Sequence, residues 1–202
     1  MAVLISGGVH GDEPAGVHAA LAFLADGQRE FNDVLQFVVF PCVNPSGFDA
    51  GTLETASGAN LNRLFGIDST QPEVRAIEDC LRIYARRFRM TFDLHEVSPD
   101  YVGEGFIEKD NARAAYLYET VSDESDRIGR LMIDALPSSR RICDWPTIYN
   151  DIKPGRRDFI SGGMPQYDLC ERDLIRWIPE PAVHRAFFYF GDAHRMEFER
   201  SS

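Results

Sequence analysis

Long apolar runs, basic clusters and paired cysteines are all scarce in this sequence of 202 residues. No run of about 18 apolar residues occurs, so the sequence offers no candidate membrane span, and no basic segment precedes an apolar one as in a secretory leader. The formal net charge is -11, and basic residues cluster only in short pairs, which disfavours nucleic acid and anionic membrane surfaces as partners. The four cysteines are scattered without a C-x-x-C pattern, so we expect a soluble protein of a reducing compartment, the cytoplasm.

A phosphate-binding loop is only weakly supported. The glycine-rich stretch Gly7–Gly11 lacks the Lys-Ser/Thr of a P-loop, and the acidic pair Asp12–Glu13 would repel phosphate. What the stretch does hold is His10 and Glu13, three residues apart, between an apolar run and a helical pattern. Strand-to-helix turns are where open α/β proteins place their sites, and a His and a carboxylate this close can share a metal ion.

Three apolar segments in the first half have the composition of strands. Val3–Ile5 is aliphatic, and Val34–Phe40 is rich in β-branched and aromatic residues, which indicates a central strand. Met90–Leu94 indicates another strand that ends at His95–Glu96. Shorter candidate strands follow in the second half, at Gly105–Ile107, Tyr116–Tyr118, Ala186–Phe190 and Met196–Glu199.

Helical patterns alternate with these strands. The first helix is predicted to begin with Asp12 as its cap and Pro14 in its first turn, and to end at Asp26–Gly27. A second, amphipathic helix is predicted over Gln71–Phe88, and a third from Ser122 to Pro137. The apolar face of the first helix is assigned to Val17, Ala20, Leu21 and Leu24, and residues 46–60 are assigned to a long loop. The alternation predicts an α/β fold, with a mixed, mostly parallel central sheet flanked by helices.

His95 is the candidate for a third metal ligand. Like His10, it lies at a predicted strand end, and strand ends on one sheet edge can bring His10, Glu13 and His95 together. Asp93 lies two residues earlier on the same strand face and could accept a hydrogen bond from an imidazole N–H. Each residue also has a plain structural interpretation, since a His can be hydrogen-bonded in a core and Glu13 can favour a helix dipole.

The pair Asn62–Arg63 favours the functional interpretation. Arginine presents a bidentate fork to a carboxylate, and asparagine adds a hydrogen bond. A metal polarises a carbonyl and supplies hydroxide, while such a clamp would fix the substrate's end. The combination is what the cleavage of an amide next to a free carboxylate needs.

Four motifs resemble the zinc carboxypeptidase superfamily, which contains the M14 metallocarboxypeptidases and the succinylglutamate desuccinylase/aspartoacylase branch. They are His10–Glu13, Asn44–Gly47, Asn60–Phe65 and Asp93–His95, in the family's order, and the resemblance covers roughly residues 1–96. It implies a phosphorylase/hydrolase-like fold with a mixed, mostly eight-stranded sheet. It also implies that residues 1–202 form a single, minimal catalytic domain.

The resemblance implies roles for individual residues. Zn2+ would be held by His10, Glu13 and His95, and Asn62 and Arg63 would bind the substrate's terminal carboxylate. The family's general base is a Glu on a late strand, for which Glu199 fits best by position. Glu197 is the alternative because strand side chains alternate, and either could instead be a solvated charge. A carboxylate there would take a proton from water and pass it to the leaving amine.

Some family features are missing or displaced. Asn60 stands where the family usually has Asp, and no Arg or Lys occurs between Ser46 and Asn60 to stabilise the oxyanion. Tyr149 and Tyr167 are unranked candidates for a substrate-capping tyrosine.

The leading hypothesis is therefore a zinc-dependent, carboxypeptidase-like hydrolase of a small peptide with a free carboxylate. One alternative is a deacylase of N-acyl amino acids, like the succinylglutamate desuccinylase/aspartoacylase branch. Another is a module that binds zinc or a carboxylate without catalysis, which the missing loop arginine favours.

Overall fold

The structure is a computed structural model that describes residues 2–31, 33–84, 88–97, 116–121, 128–135, 160–161 and 184–191. Its strands are β1 (Ala2–Gly7), β2 (Gln36–Phe40), β3 (Phe88–Val97), β4 (Tyr116–Val121), β5 (Ile160–Ser161) and β6 (His184–Gly191). Its α-helices are α1 (Pro14–Ala25), α2 (Pro45–Ala50), α3 (Pro72–Tyr84) and α4 (Gly129–Asp134). Two short 3-10 helices cover Gly27–Glu30 and Leu61–Arg63.

The described strands form one sheet in the order β2-β1-β3-β6-β4-β5. All neighbours pair in parallel except β4 and β6, which are antiparallel. The prediction of a mixed, mostly parallel sheet flanked by helices is therefore confirmed. The sheet has six strands within the described ranges, where the family resemblance implied mostly eight.

Strand β2 corrects one prediction. The segment Val34–Phe40 was expected to be central, but β2 begins at Gln36 and stands at the end of the described strand order. Val34 precedes the strand and its side chain is 70% exposed. Aromatic and β-branched residues suit edge and central strands alike, so their enrichment does not fix a strand's place in the sheet.

Helix α1 packs on β1 and β3 through a glycine. A Cβ on Gly16 would lie 2.2 Å from the Leu94 carbonyl oxygen, so only glycine allows the helix to approach β3 this closely. Val17 and Ala20 are buried beside it, as predicted, whereas Leu21 is 48% exposed. The helix is therefore rotated toward its small residues, and the predicted apolar face is wrong at Leu21.

Two further boundaries differ from the predictions. The predicted loop over residues 46–60 contains helix α2, whose N-terminus is capped by Asn44, with its Oδ1 accepting from Gly47 N–H at 2.9 Å. The predicted helix over Gln71–Phe88 ends at Tyr84, and buried Phe88 opens β3 instead. The first error arises because asparagine is common in turns as well as at helix N-termini. The second arises because Phe88, the first residue of β3, happens to fit the apolar spacing of the preceding helix.

Strand β3 is longer than expected. It continues to Val97, paired with β6 up to Gly191, so His95 and Glu96 lie within the strand rather than after it. A side chain on a paired strand is held more rigidly than one on a loop, which suits a metal ligand.

In the second half, the predicted strands at 116–118 and 186–190 are confirmed within β4 and β6, and α4 falls inside the predicted third helix. The other predicted elements, at 105–107, 122–124 and 196–199, lie outside the described residues. Among the described helices, none combines the length and apolarity that crossing a bilayer requires.

Candidate metal centre

Three side chains from separate elements converge beside the carboxyl end of β1. His10 lies in the turn after β1, Glu13 immediately precedes α1, and His95 lies on β3. The parallel register pairs Gly7 with Leu94, which brings the turn alongside His95. Each residue offers one ligand atom, and these atoms all lie within 4.8 Å of one another, so the group could hold a metal ion.

Glu13 lies between the two imidazoles. Its Oε1 is 2.8 Å from His10 Nδ1, and its Oε2 is 2.8 Å from His95 Nδ1. Burial alone would raise the pKa of Glu13, but the adjacent imidazoles of His95 and His10 outweigh it and lower the pKa to about 2. The carboxylate is therefore ionised over the ordinary pH range.

His95 is buried, at 2% exposure, between two carboxylates. Its Nδ1 faces Glu13, and its Nε2 lies 3.1 Å from Asp93 Oδ2. Burial would lower the pKa of His95, but the charges of Asp93 and Glu13 outweigh it and raise the pKa well above its usual value. The predicted contact between Asp93 and an imidazole nitrogen is confirmed.

Asp93 is itself held in place across the sheet. Ser6 on β1 is its partner in the parallel register, and Ser6 Oγ donates a hydrogen bond to Asp93 Oδ1 at 2.7 Å. Both residues are fully buried. A chain of contacts thus runs from Ser6 through Asp93 to His95.

The donor set fits a divalent transition metal. Two imidazole nitrogens and one carboxylate oxygen are the ligands typical of catalytic zinc sites, which keep a further position open. An N–H on His95 Nε2 that donates to Asp93 leaves the Nδ1 lone pair directed at the group's centre.

The turn that carries His10 is supported by the Asn44–Gly47 segment. Asn44 donates its backbone N–H to the Gly8 carbonyl at 2.9 Å, and its Nδ2 donates to the Leu53 carbonyl at 3.1 Å. A Cβ on Gly11 would lie 2.1 Å from the Gly47 carbonyl carbon, so the two backbones touch. The sequence indicated only a turn here, and the support that this turn gives to His10 depends on tertiary contacts.

The start of α1 differs from the prediction. Glu13, and not Asp12, occupies the N-cap position, and its side chain makes no capping bond because it faces the imidazoles. Instead, Glu96 Oε2 accepts from Ala15 N–H at 2.9 Å. Glu96 was not among the predicted site residues, although a second carboxylate directly after His95 was a visible signal.

The predicted carboxylate clamp lies in a capped turn. Asn60 Oδ1 accepts from Asn62 N–H at 3.1 Å, so the family's Asp is replaced here by another residue that can cap. Asn62 is 5% exposed, and its Oδ1 is buried with no hydrogen-bond partner within the described residues. Arg63 is exposed, and its Nη1 donates to the Asn62 carbonyl at 3.1 Å. Their binding of substrate stays a prediction.

The predicted general base lies outside the described residues. This holds for Glu199 and its alternative Glu197, and for the tyrosine candidates Tyr149 and Tyr167. Their roles stay predictions from the sequence.

The family model described as succinylglutamate desuccinylase/aspartoacylase catalytic domain matches residues 1–114. No curated protein gives a significant match.

Several solved structures are similar to this chain. A protein from Shewanella amazonensis, provisionally named a metallopeptidase, is 23% identical with a TM-score of 0.69, over 95% of this chain and 69% of that one. A metallo-carboxypeptidase from Burkholderia cenocepacia is 19% identical with a TM-score of 0.54, over 95% of this chain and 48% of that one. A cell-shape determinant from Helicobacter pylori, solved with a bound tripeptide, is 17% identical with a TM-score of 0.57, over 95% of this chain and 45% of that one.

These similarities show a shared carboxypeptidase-like fold. The chain spans about two thirds of the Shewanella amazonensis protein's length and about half of the other two.

Proposed function

Because the chain belongs to the succinylglutamate desuccinylase/aspartoacylase catalytic domain family, we propose that it is a zinc-dependent hydrolase that cleaves an amide bond next to a free carboxylate. The observation that carries the proposal is the convergence of His10, Glu13 and His95, with ligand atoms within 4.8 Å of one another. Two imidazoles and one carboxylate are a donor set that zinc prefers in hydrolases.

His10, Glu13 and His95 would hold the zinc ion. When bound, it supplies a polarising charge for the substrate carbonyl and lowers the pKa of water to about 7. Two features of the site keep Glu13 and His95 in the forms that bind a metal. The low pKa of Glu13 keeps its carboxylate ionised, and Asp93 holds the His95 tautomer that directs Nδ1 inward.

Asn62 and Arg63 bind the substrate's free carboxylate. Arg63 is exposed and can present its guanidinium as a bidentate fork. The backbone of Asn62 is held by the capped turn, and its side-chain Oδ1 is buried with no hydrogen-bond partner within the described residues. Glu199 acts as the general base and acid, with Glu197 as the alternative, on the support of its place in the sequence alone.

A small peptide with a free terminal carboxylate is the leading substrate class. The fold shared with a metallo-carboxypeptidase supports it. An N-acyl amino acid is the second candidate, and the description of the matching family favours it. Both substrates place a carboxylate beside the amide, so the same clamp and metal would serve either.

The test is a hydrolysis assay on a matched panel. Dipeptides, tripeptides, N-acetyl amino acids and N-succinyl amino acids are offered to the purified protein, and the released amino acid is measured. The expected result is release that a chelator abolishes and added Zn2+ restores. His10→Ala should abolish it, whereas His18→Ala, at an exposed histidine on α1, should leave it unchanged.

Two outcomes would contradict the proposal. One is a protein that takes up no zinc. The other is binding without turnover across the whole panel, which would support the non-catalytic binding module instead.

A further inference from the structure

Glu96 is a buried carboxylate whose role is not explained by metal ligation. Its side chain is 4% exposed, directly after His95 on β3. Burying a carboxylate is costly unless polar groups compensate for the lost water. The hydrogen bonds that Glu96 makes therefore indicate its role in the fold.

The Glu96 side chain caps a helix from another part of the chain. Its Oε2 accepts from Ala15 N–H at 2.9 Å, although the two residues are 81 positions apart. Ala15 lies in the first turn of α1, where free N–H groups and the helix dipole favour a negative charge. The N-cap residue Glu13 makes no side-chain capping bond, so Glu96 takes over this role.

The Glu96 backbone contacts the same region from a second direction. Its N–H donates to Glu13 Oε2 at 3.1 Å, the oxygen that also faces His95 Nδ1. One residue therefore fixes the carboxylate of Glu13 through its backbone and the helix that begins after Glu13 through its side chain. Contacts from Glu96 therefore act on both the carboxylate of Glu13 and the backbone that follows it.

We propose that Glu96 is a positioning residue that sets Glu13 at the correct distance from His95 by anchoring the start of α1 to β3. The inference rests on the proposed zinc site. Without the bond to Ala15, the first turn of α1 would lose one of its contacts to β3 and could shift relative to the strand. Glu13 would move with it, while His95 would stay fixed by β3 and Asp93.

A purely structural cap would have a different signature. It would stabilise the fold without any particular effect on metal affinity. Glu78 provides the matched control, because it is also a buried glutamate that accepts a backbone N–H from another segment, Gly66, at 2.8 Å. Glu78 lies on α3 and is not one of the residues that form the metal group.

The experiment measures the zinc affinity of the full chain by competition with a chromophoric chelator. Glu96→Ala, Glu96→Gln, Glu96→Asp and Glu78→Ala are compared with the unchanged protein. The visible absorption spectrum of the Co2+-substituted protein reports the ligand geometry, and thermal unfolding of the metal-free protein reports stability.

Glu96→Ala should weaken zinc binding about 10- to 100-fold, as expected for a residue that orients a ligand, and should alter the Co2+ spectrum. Glu96→Gln should stay within about threefold of the unchanged protein, because its amide oxygen accepts the same hydrogen bond. Glu96→Asp, whose side chain is one methylene shorter, should lose affinity like the alanine variant, and it provides the result if Glu96→Ala fails to fold. Glu78→Ala should lower the unfolding temperature but leave zinc affinity unchanged.

The inference is overturned if Glu96→Ala or Glu96→Asp binds zinc like the unchanged protein, or if Glu78→Ala loses as much affinity. A failure of the proposed function looks different, because then the unchanged protein itself would bind no zinc.

Discussion

Among single residues, Glu13 has the central position because its two oxygens face two different imidazoles. It also occupies the N-cap position of α1 without capping the helix with its side chain, because Glu96 accepts the hydrogen bond from Ala15 N–H instead. The Ser6–Asp93–His95 chain has the corresponding role for His95, since it holds the imidazole in place and gives an N–H on Nε2 an acceptor in Asp93.

Asp93→Asn tests this chain of contacts. The variant keeps the shape of the side chain but removes the charge that holds a proton on His95 Nε2. We expect zinc affinity to fall roughly 10-fold or more, measured by competition with a chelator. Asp79→Asn, at an exposed aspartate on α3, is the control that should show no change. Equal affinity in both variants would mean that Asp93 does not set the tautomer.

The free energy of unfolding of the metal-free protein should be highest at intermediate pH and should fall on both the acid and the alkaline side. The pKa of His95 is raised above its usual 6.5, so its contribution is fully present below 6.5 and is lost as pH rises through the folded-state value. The pKa of Glu13 is lowered from 4.5 to about 2, so its contribution is present above 4.5 and is lost as pH falls toward 2.

Thermal unfolding in a chelator, followed across pH, measures both limbs of this maximum. His95→Gln should remove the loss of stability on the alkaline side. If that loss is as large in the variant, it arises from other groups.

Helix α1 is positioned by close backbone contact as well as by its cap. Gly16 allows the helix to approach the Leu94 carbonyl, next in sequence to His95. The distance between Glu13 and His95 therefore depends on a residue that has no side chain.

Gly16→Ala should destabilise the protein by about 1–3 kcal/mol, because the added methyl group would force α1 away from β3. Denaturant unfolding measures the free energy. At Gly51 a Cβ would meet nothing within 4 Å, so Gly51→Ala should cost only the strain of its left-handed conformation, roughly 1–2 kcal/mol. A Gly16→Ala variant as stable as the unchanged protein would show that α1 is not held at its closest approach.

The sequence predicted those elements whose signals are local. The aliphatic run at β1, the Pro14 start of α1 and the His-x-x-Glu spacing all act over a few residues, and so the metal group could be anticipated. The exposure of Leu21 and the capping by Glu96 depend on how α1 meets β3. No local pattern encodes that contact, since it is made by residues about 80 positions apart in the chain.

At the scale of the whole molecule, the candidate metal ligands are built into the sheet and the elements next to it. The candidate ligands lie in the turn after β1, directly before α1 and on strand β3, so a bound metal would link three parts of the fold. The carboxypeptidase-like fold that the motifs indicated is confirmed, and so is the resemblance to the superfamily.

Zinc should therefore stabilise the entire described sheet. Zinc at about 1,000 times its dissociation constant should add about 4 kcal/mol to the free energy of unfolding, because it binds the folded state alone. Thermal unfolding with and without a chelator measures this difference. In His10→Ala the difference should shrink strongly, whereas in His18→Ala it should persist. A chelator effect of the same size in both variants would place the metal elsewhere.

The separation of the ligands along the chain has a kinetic consequence. Glu13 and His95 are 82 residues apart, so the pair exists only after β1 and β3 have come together. Closing such a long segment is slow compared with local helix formation, and zinc has no complete site to bind until it is done. Because zinc binds only once both ligands are in place, it should slow unfolding, and its effect on the refolding rate reports how far the β1–β3 contact is formed in the transition state.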